Sequence, residues 1–259
     1  MTEELEFALR VARAAGGITL KYFNTDTPVE RKADDSPVSR ADREAETYIR
    51  NQIALRFPHH GILGEEFEEQ PGDGETRWVI DPIDGTKSFV YGVPLFAVLV
   101  GLERDGIPVM GVAHFPALNE TLWAEQGGGA FCNGEAIRVS STDRIEDALL
   151  VSGSILSFEA KGTLDGYIAL AQRAYATRTW GDAYGHSMVA RGKAEVMLDP
   201  RVNVWDTCAL TPIVLASGGT FTSFDGGPGH GVGEALSTNG RLLQPALNCF
   251  ADNQHRPNE

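Results

Sequence analysis

Positive charge is scarce in this chain: 22 Lys+Arg stand against 36 Asp+Glu, leaving a formal charge of −14 over 259 residues. So acidic a surface repels polyanions, which argues against nucleic acid or an anionic membrane as partner. An anionic substrate would need a local reversal of that field, and bound divalent cations supply one. Cysteine is sparse too. Cys132, Cys208 and Cys249 are too few and too widely spaced for a disulfide framework or a zinc motif, so they read as buried fillers in a reduced compartment. Long apolar runs are missing: the longest, Val93 to Leu102, has about half of the roughly 20 residues that a membrane span requires, and it contains Pro94. The start, Met-Thr-Glu-Glu-Leu-Glu, is acidic where a secretory signal would be basic and no apolar segment follows, so a cytoplasmic location is expected. What remains is ordinary globular composition, 42% hydrophobic and 22% charged, at a length that suits one large domain or two subdomains.

Apolar spacing predicts a first helix over residues 2–23, with Leu5, Leu9, Ala12 and Ile18 on one face, and then a polar loop over 24–38. Ser39-Arg40-Ala41-Asp42 fits a capping box and opens a helix that Phe57-Pro58 ends. From 61 to 140 the pattern predicts a β-meander, with Asp105-Gly106 and Asn133-Gly134 as hairpin turns. Beyond about residue 145 strands and helices alternate: strands at 149–152, 178–180, 195–198 and 220–223, and helices at 164–175, 183–191, 205–217 and 240–249, with a glycine-rich loop at 226–233. This order predicts an α+β fold with two sheets layered among helices. Residues 1–145 and 146–259 form its two subdomains and share one cleft.

The chemistry concentrates in carboxylates. Trp78-Val79-Ile80 runs into Asp81-Pro82-Ile83-Asp84-Gly85-Thr86-Lys87, an apolar strand closed by two acids three residues apart. Asp-Pro and Asp-Gly are also ordinary turn dipeptides, so a plain strand and turn is the competing reading. Other acids shift the balance: Glu65 and Glu66 follow a short apolar strand, Asp206 opens an apolar helix and Asp42 sits in a first helical turn. Ends of strands and starts of helices are where layered α/β folds gather their sites. Three to five oxygen donors without histidine favour Mg²⁺ over zinc. The backbone of Gly85 and Thr86 adds amides suited to phosphate oxygens if a helix starts there.

These segments resemble the inositol monophosphatase-like, magnesium-dependent, lithium-sensitive phosphatases. The resemblance rests on Gly64-Glu65-Glu66, on Asp81 to Phe89, on Val204-Trp205-Asp206-Thr207-Cys208-Ala209 and on Ser36 to Asp42, and it spans roughly residues 5 to 245. It implies a layered α-β-α-β-α sandwich and a cofactor set of two or three Mg²⁺. Glu65, Asp81 and the Ile83 carbonyl would hold one ion and Asp81, Asp84 and Asp206 a second; a third, looser ion would sit near Glu65. Gly85 and Thr86 would contact the phosphate, and Asp42 with Thr86 would orient or deprotonate the attacking water. Glu66 and Lys32 stand open between a direct contact and a solvated side chain. His114 and His186 read as satisfied core histidines. A small-molecule phosphate monoester is the expected partner, and the resemblance implies a homodimer.

For the alcohol, the informative positions are Trp180-Gly181-Asp182-Ala183-Tyr184-Gly185 and Asp199. Inositol phosphatases commonly carry Gly-Thr-Ala where this chain has Gly181-Asp182-Ala183. That pair, Lys87 after Asp-Gly-Thr and Tyr91-Gly92-Val93-Pro94 look more like the histidinol-phosphate phosphatases of the same superfamily. Asp182 and Asp199 would suit the ammonium and imidazole of such a substrate. The alternatives are inositol monophosphate, fructose bisphosphate, a nucleotide 3′-phosphate or a regulator without turnover. A helix cap is the competing role for Asp182.

Overall fold

Helix α1 (Glu3–Thr19) begins where the Thr2 hydroxyl accepts from the Leu5 amide, with Glu3, Glu4 and Glu6 in the turn where the helix dipole favours acids. Leu5, Leu9 and Ala12 are buried, whereas Ile18 is half-buried, and turns replace the expected helix after Thr19. The computed structural model describes residues 1–25, 29–31 and 37–251. The segment expected to be loop carries a two-stranded antiparallel ribbon, β1 (Val29–Arg31) on β2 (Pro37–Ser39). Strands of three residues are too short for an alternating pattern to register. Helix α2 (Arg40–Arg56) starts at the Ser39 capping box and stops at Phe57, as the sequence predicts.

The first sheet has seven strands. β3 (Gly61–Gly64) lies parallel to β4 (Thr76–Asp84), and after the short helix α3 (Thr86–Val90) an antiparallel meander continues. It runs through β5 (Ala97–Arg104), β6 (Ile107–Phe115), β7 (Glu120–Glu125), β8 (Ala130–Cys132) and β9 (Glu135–Ile137). Asp105-Gly106 and Asn133-Gly134 both take positive φ, the conformation that tight two-residue hairpins demand.

The second sheet is built with crossovers. It uses β10 (Leu149–Ser152), then helices α4 (Ile155–Lys161) and α5 (Leu164–Ala171), β11 (Ala176–Arg178), α6 (Asp182–Ala190) and β12 (Val196–Asp199). Helices α7 (Val204–Cys208) and α8 (Leu210–Ala216), strands β13 (Thr220–Thr222) and β14 (Ala235–Thr238), and α9 (Leu243–Ala251) complete it, in the strand order β11-β10-β12-β14-β13. Several expectations change here. The single helix expected at 205–217 is two, because Pro212 has no amide to donate to the Cys208 carbonyl one turn back. The strand expected at 178–180 lies at 176–178, and α4 and β14 were not expected. All four β14 residues are buried, so no alternation marks the strand.

The layers run helix, sheet, helix, sheet, helix, the sandwich that the resemblance implies. Along β5 the faces alternate with period two. Val98, Val100 and Leu102 meet α1 and α2, whereas Ala97 and Leu99 meet Leu210, Ile213 and Val214 of α8. Leu150, Leu198 and Leu236 of the second sheet bury against Phe158, Tyr167 and Phe250 of the outer helices. Gly101 and Gly111 let α7 and α8 settle on the first sheet, since a Cβ on either would clash with Cys208 or with the Ala209 backbone. Among the described residues no helix is long and apolar enough to cross a membrane.

Candidate active site

Strand residues three apart normally point to opposite faces. Here Asp81 pairs with Leu99 but Asp84 with Ala97, so β4 carries one extra residue, a bulge in which Pro82 has no ladder bond to lose. The Ile83 amide donates to Asp81 Oδ1 at 2.9 Å, and the Thr86 hydroxyl donates to the Ile83 carbonyl at 3.0 Å. The bulge brings Asp81 and Asp84 to the same side, and carboxylate oxygens of both lie within 4.8 Å of one of Asp206 and of each other. Gly85, in the left-handed region at φ 79°, turns the chain into α3.

Glu65 follows β3 and is held from behind by a residue that the sequence reading missed. Glu46 is fully buried; its Oε2 accepts from the Glu66 amide at 2.8 Å and its Oε1 from Arg50 Nε at 2.7 Å. Gly64 leaves room for that carboxylate, which a Cβ would strike. The signal was present: Glu46 is an acid inside the apolar stripe of Ala45, Ile49 and Ile53. Asp42, one turn earlier, performs the capping that its position predicts, and its Oδ2 accepts from the Ser39 amide at 2.8 Å and hydroxyl at 2.7 Å. Burial, reinforced by the charge of Glu65, pushes its carboxyl up to about 6 despite those bonds. Lys32 lies outside the described residues.

The second half of the chain closes the site. Asp84 Oδ2 accepts from the Ala183 amide at 2.7 Å, so the first turn of α6 is capped from across the cleft and not by Asp182. This corrects the capping reading of Asp182, whose own backbone sits at φ 58°, strained for a residue with a Cβ. A Cβ on Gly85 would come within 3.2 Å of Asp182 Oδ2, which places that carboxylate beside the α3 turn. Asp199 ends β12, and Asp206 is the third residue of α7, where it accepts from the Asn203 amide at 2.6 Å. Gly181 packs on the Gly153 backbone and, like Asp42, is not among the residues that line the cleft.

Glu65, Asp81, Asp84, Asp182, Asp199 and Asp206 all line one cavity of about 320 Å³, together with Ile83, Gly85, Thr86 and Ala183. Burial and then the neighbouring acids hold Asp81, Asp84 and Asp199 well above the usual carboxylate range. Asp206 is pushed up to about 7 by burial, and Asp182 is also raised by burial, against the pull of Lys87. Only protons or cations make so much buried negative charge tolerable. The donors are oxygens alone, a set that fits a hard divalent ion. His186 borders the cavity, but its Nδ1 is 2.6 Å from Ser237 Oγ and burial drives its pKa down to about 3. His114, bonded to Thr121 at 2.9 Å, is held down to about 4, so both rings are neutral core groups.

The chain is a layered sandwich with an acid-lined cleft between its sheets, and residues 1–256 match the inositol monophosphatase family, a class of phosphate-ester hydrolases. The chain belongs to that metal-dependent family and is a phosphatase. It is similar to the histidinol-phosphatase of Chlorobaculum parvum, with 42% identity over 255 residues that cover 95% of this chain and 97% of the relative. The histidinol-phosphatase of Streptomyces coelicolor is 39% identical, with coverage of 95% and 96%. Among solved structures, the IMPase of Thermotoga maritima superposes with a TM-score of 0.89 at 32% identity, covering 98% of both chains.

Proposed function

We propose that the chain is a Mg²⁺-dependent histidinol-phosphatase that hydrolyses L-histidinol phosphate to histidinol and phosphate. The observation that carries this reading is a surplus of acid. Asp199, buried, and Asp182, half-buried, line the cleft beside the Asp81, Asp84 and Asp206 cluster, where Lys87 draws on Asp182 and a neutral polyol would add no further counter-charge. An alcohol bearing an ammonium and an imidazole supplies that charge. The names of the relatives point the same way.

In this reading Glu65, Asp81 and the Ile83 carbonyl would hold one Mg²⁺, Asp81, Asp84 and Asp206 a second, with a third near Glu65. Ions held there would supply charge to neutralise the phosphate and to acidify water. Gly85 and Thr86 hold phosphate oxygens. Thr86, which lines the cleft, orients the attacking water, with Asp42 set behind the cleft wall as the base, its carboxyl held at about 6. Asp182 and Asp199 take the cationic end, while Ala183 shapes the wall beside them and Gly181, outside the cleft lining and packed on Gly153, lets the chain approach there. The expected homodimer and cytoplasmic location belong to the same reading.

Kinetics with Mg²⁺ on histidinol phosphate, inositol 1-phosphate, fructose 1,6-bisphosphate, adenosine 3′,5′-bisphosphate and p-nitrophenyl phosphate test the assignment. Histidinol phosphate should have the highest kcat/KM. Asp199→Asn should lower that value about tenfold to a hundredfold, the worth of a charge-assisted contact, and barely change p-nitrophenyl phosphate. A higher kcat/KM for one of the other biological esters would overturn the substrate, and equal losses on both esters would place Asp199 in support of the metal cluster.

A further inference from the structure

A second polar cluster lies outside the cleft and is absorbed by none of the roles above. Glu103 on β5 is 2% exposed. Its Oε2 accepts from Arg77 on β4, through Nη2 at 2.7 Å and Nε at 3.0 Å, and its Oε1 is 2.6 Å from Nε2 of His230 in the glycine-rich loop. With Nε2–H committed to Glu103, Nδ1 of the ring faces the Thr207 hydroxyl at 2.8 Å. Thr207 is fully buried and directly follows Asp206.

Cys208 brings a thiol to within 4.8 Å of the Glu103 and His230 ligand atoms, so the group invites a reading as a soft-metal site. Two observations oppose it. The guanidinium of Arg77 already neutralises Glu103, and burial holds the Cys208 thiol well above its usual value, away from the thiolate that a metal needs.

The same contacts solve a different problem. Asp206 must meet Asp81 and Asp84, which come from the other sheet. Its helix, α7, has five residues and is cut off from α8 at Ala209, so helical continuity does not aim it. The Asn203 amide occupies Asp206 Oδ2, so the orientation of α7 decides where the remaining oxygen points. Cys208 against Gly101 seats the helix on β5 at one point, and the chain Thr207, His230, Glu103, Arg77 anchors it at a second. We infer that Arg77, Glu103, His230 and Thr207 are positioning residues: they tie α7 to the first sheet and so hold Asp206 in the cation cluster. The inference rests on the cation reading given under Proposed function.

Calorimetric and thermal-shift titration of the full chain with Mg²⁺, without substrate, tests it. Thr207→Val, which removes the hydroxyl at nearly constant shape, and His230→Ala should each raise the Mg²⁺ concentration for half-saturation roughly tenfold, the usual effect of losing a support behind a metal ligand. Thr207→Ser should restore the wild-type value. Should one of the two variants not fold, the other decides. A lower melting temperature for the metal-free variants with unchanged Mg²⁺ half-saturation means packing alone and overturns the tie. A wild-type protein that does not respond to Mg²⁺ overturns the cation reading, and the tie falls with it.

Discussion

The two sheets supply equal numbers of cleft acids by different means. In the seven-stranded sheet, strands adjacent in sequence lie side by side, and its acids come from two neighbouring strand ends: Glu65 after β3, and Asp81 and Asp84 on the bulged β4. In the five-stranded sheet the acids come from three separate connections, Asp182 at the start of α6, Asp199 at the end of β12 and Asp206 in α7. The first set is placed mainly by local backbone geometry, braced by Glu46 and the Ala183 amide, and the second by packing between distant segments. A charge change should therefore be the damaging event in the first half, and a change of packing should be enough in the second.

The sharpest break is Asp84→Asn. It keeps an acceptor for the Ala183 amide and removes only charge, so the fold should survive while kcat/KM falls by more than about a hundredfold, measured by phosphate release at saturating Mg²⁺. Near-wild-type turnover would end the assignment of Asp84 to the cation cluster. Gly111→Ala attacks the other side. Its Cβ would collide with the Ala209 backbone and push the α7–α8 junction off β6, so a loss of roughly 1–3 kcal/mol in urea unfolding is expected, with weakened Mg²⁺ binding although no acid has changed. Wild-type Mg²⁺ affinity in that variant would show that the second set of acids tolerates displacement.

The smallest effect concerns both halves at once. Asp206, raised from 3.8 to about 7, keeps a proton in the metal-free folded protein that the unfolded chain releases near pH 4. The folded state binds more protons across that window, so this group's contribution to stability is full below about pH 4 and is lost as pH rises through about 7. In the proposed reading Mg²⁺ would replace the lost protons. Its stabilisation should therefore be larger at pH 8 than at pH 5.5, by a few degrees in melting temperature. Equal shifts at both pH values would separate the ion from the buried acids.

Most of the first half is legible in the sequence, because its determinants are local: the Ser39 capping box and the Asp-Gly and Asn-Gly hairpins each act within four residues. That acids ending apolar strands or opening apolar helices gather at one site is legible too, although the rule also names Asp42 and Glu66, which do not line the cleft, and it is the family resemblance that singles out the trio Asp81, Asp84 and Asp206. What escapes is long-range. The Ala183 amide reaches Asp84 across 99 positions and His230 reaches Glu103 across 127, and no spacing rule joins them. Glu46 escapes for another reason: periodicity marks the face of α2 it occupies, but not the use of a buried acid there.

The bond from the Ala183 amide to Asp84 also bears on how such a chain acquires a new substrate. The stretch expected to choose the alcohol is not an exchangeable cassette, because its backbone holds Asp84, an acid of the proposed cation cluster. A library diversified at residues 180–184 with 84–87 held fixed should return altered selectivity together with slower turnover. Lineages that regain speed should do so through second changes at 84–87, so the two segments are expected to drift as a pair.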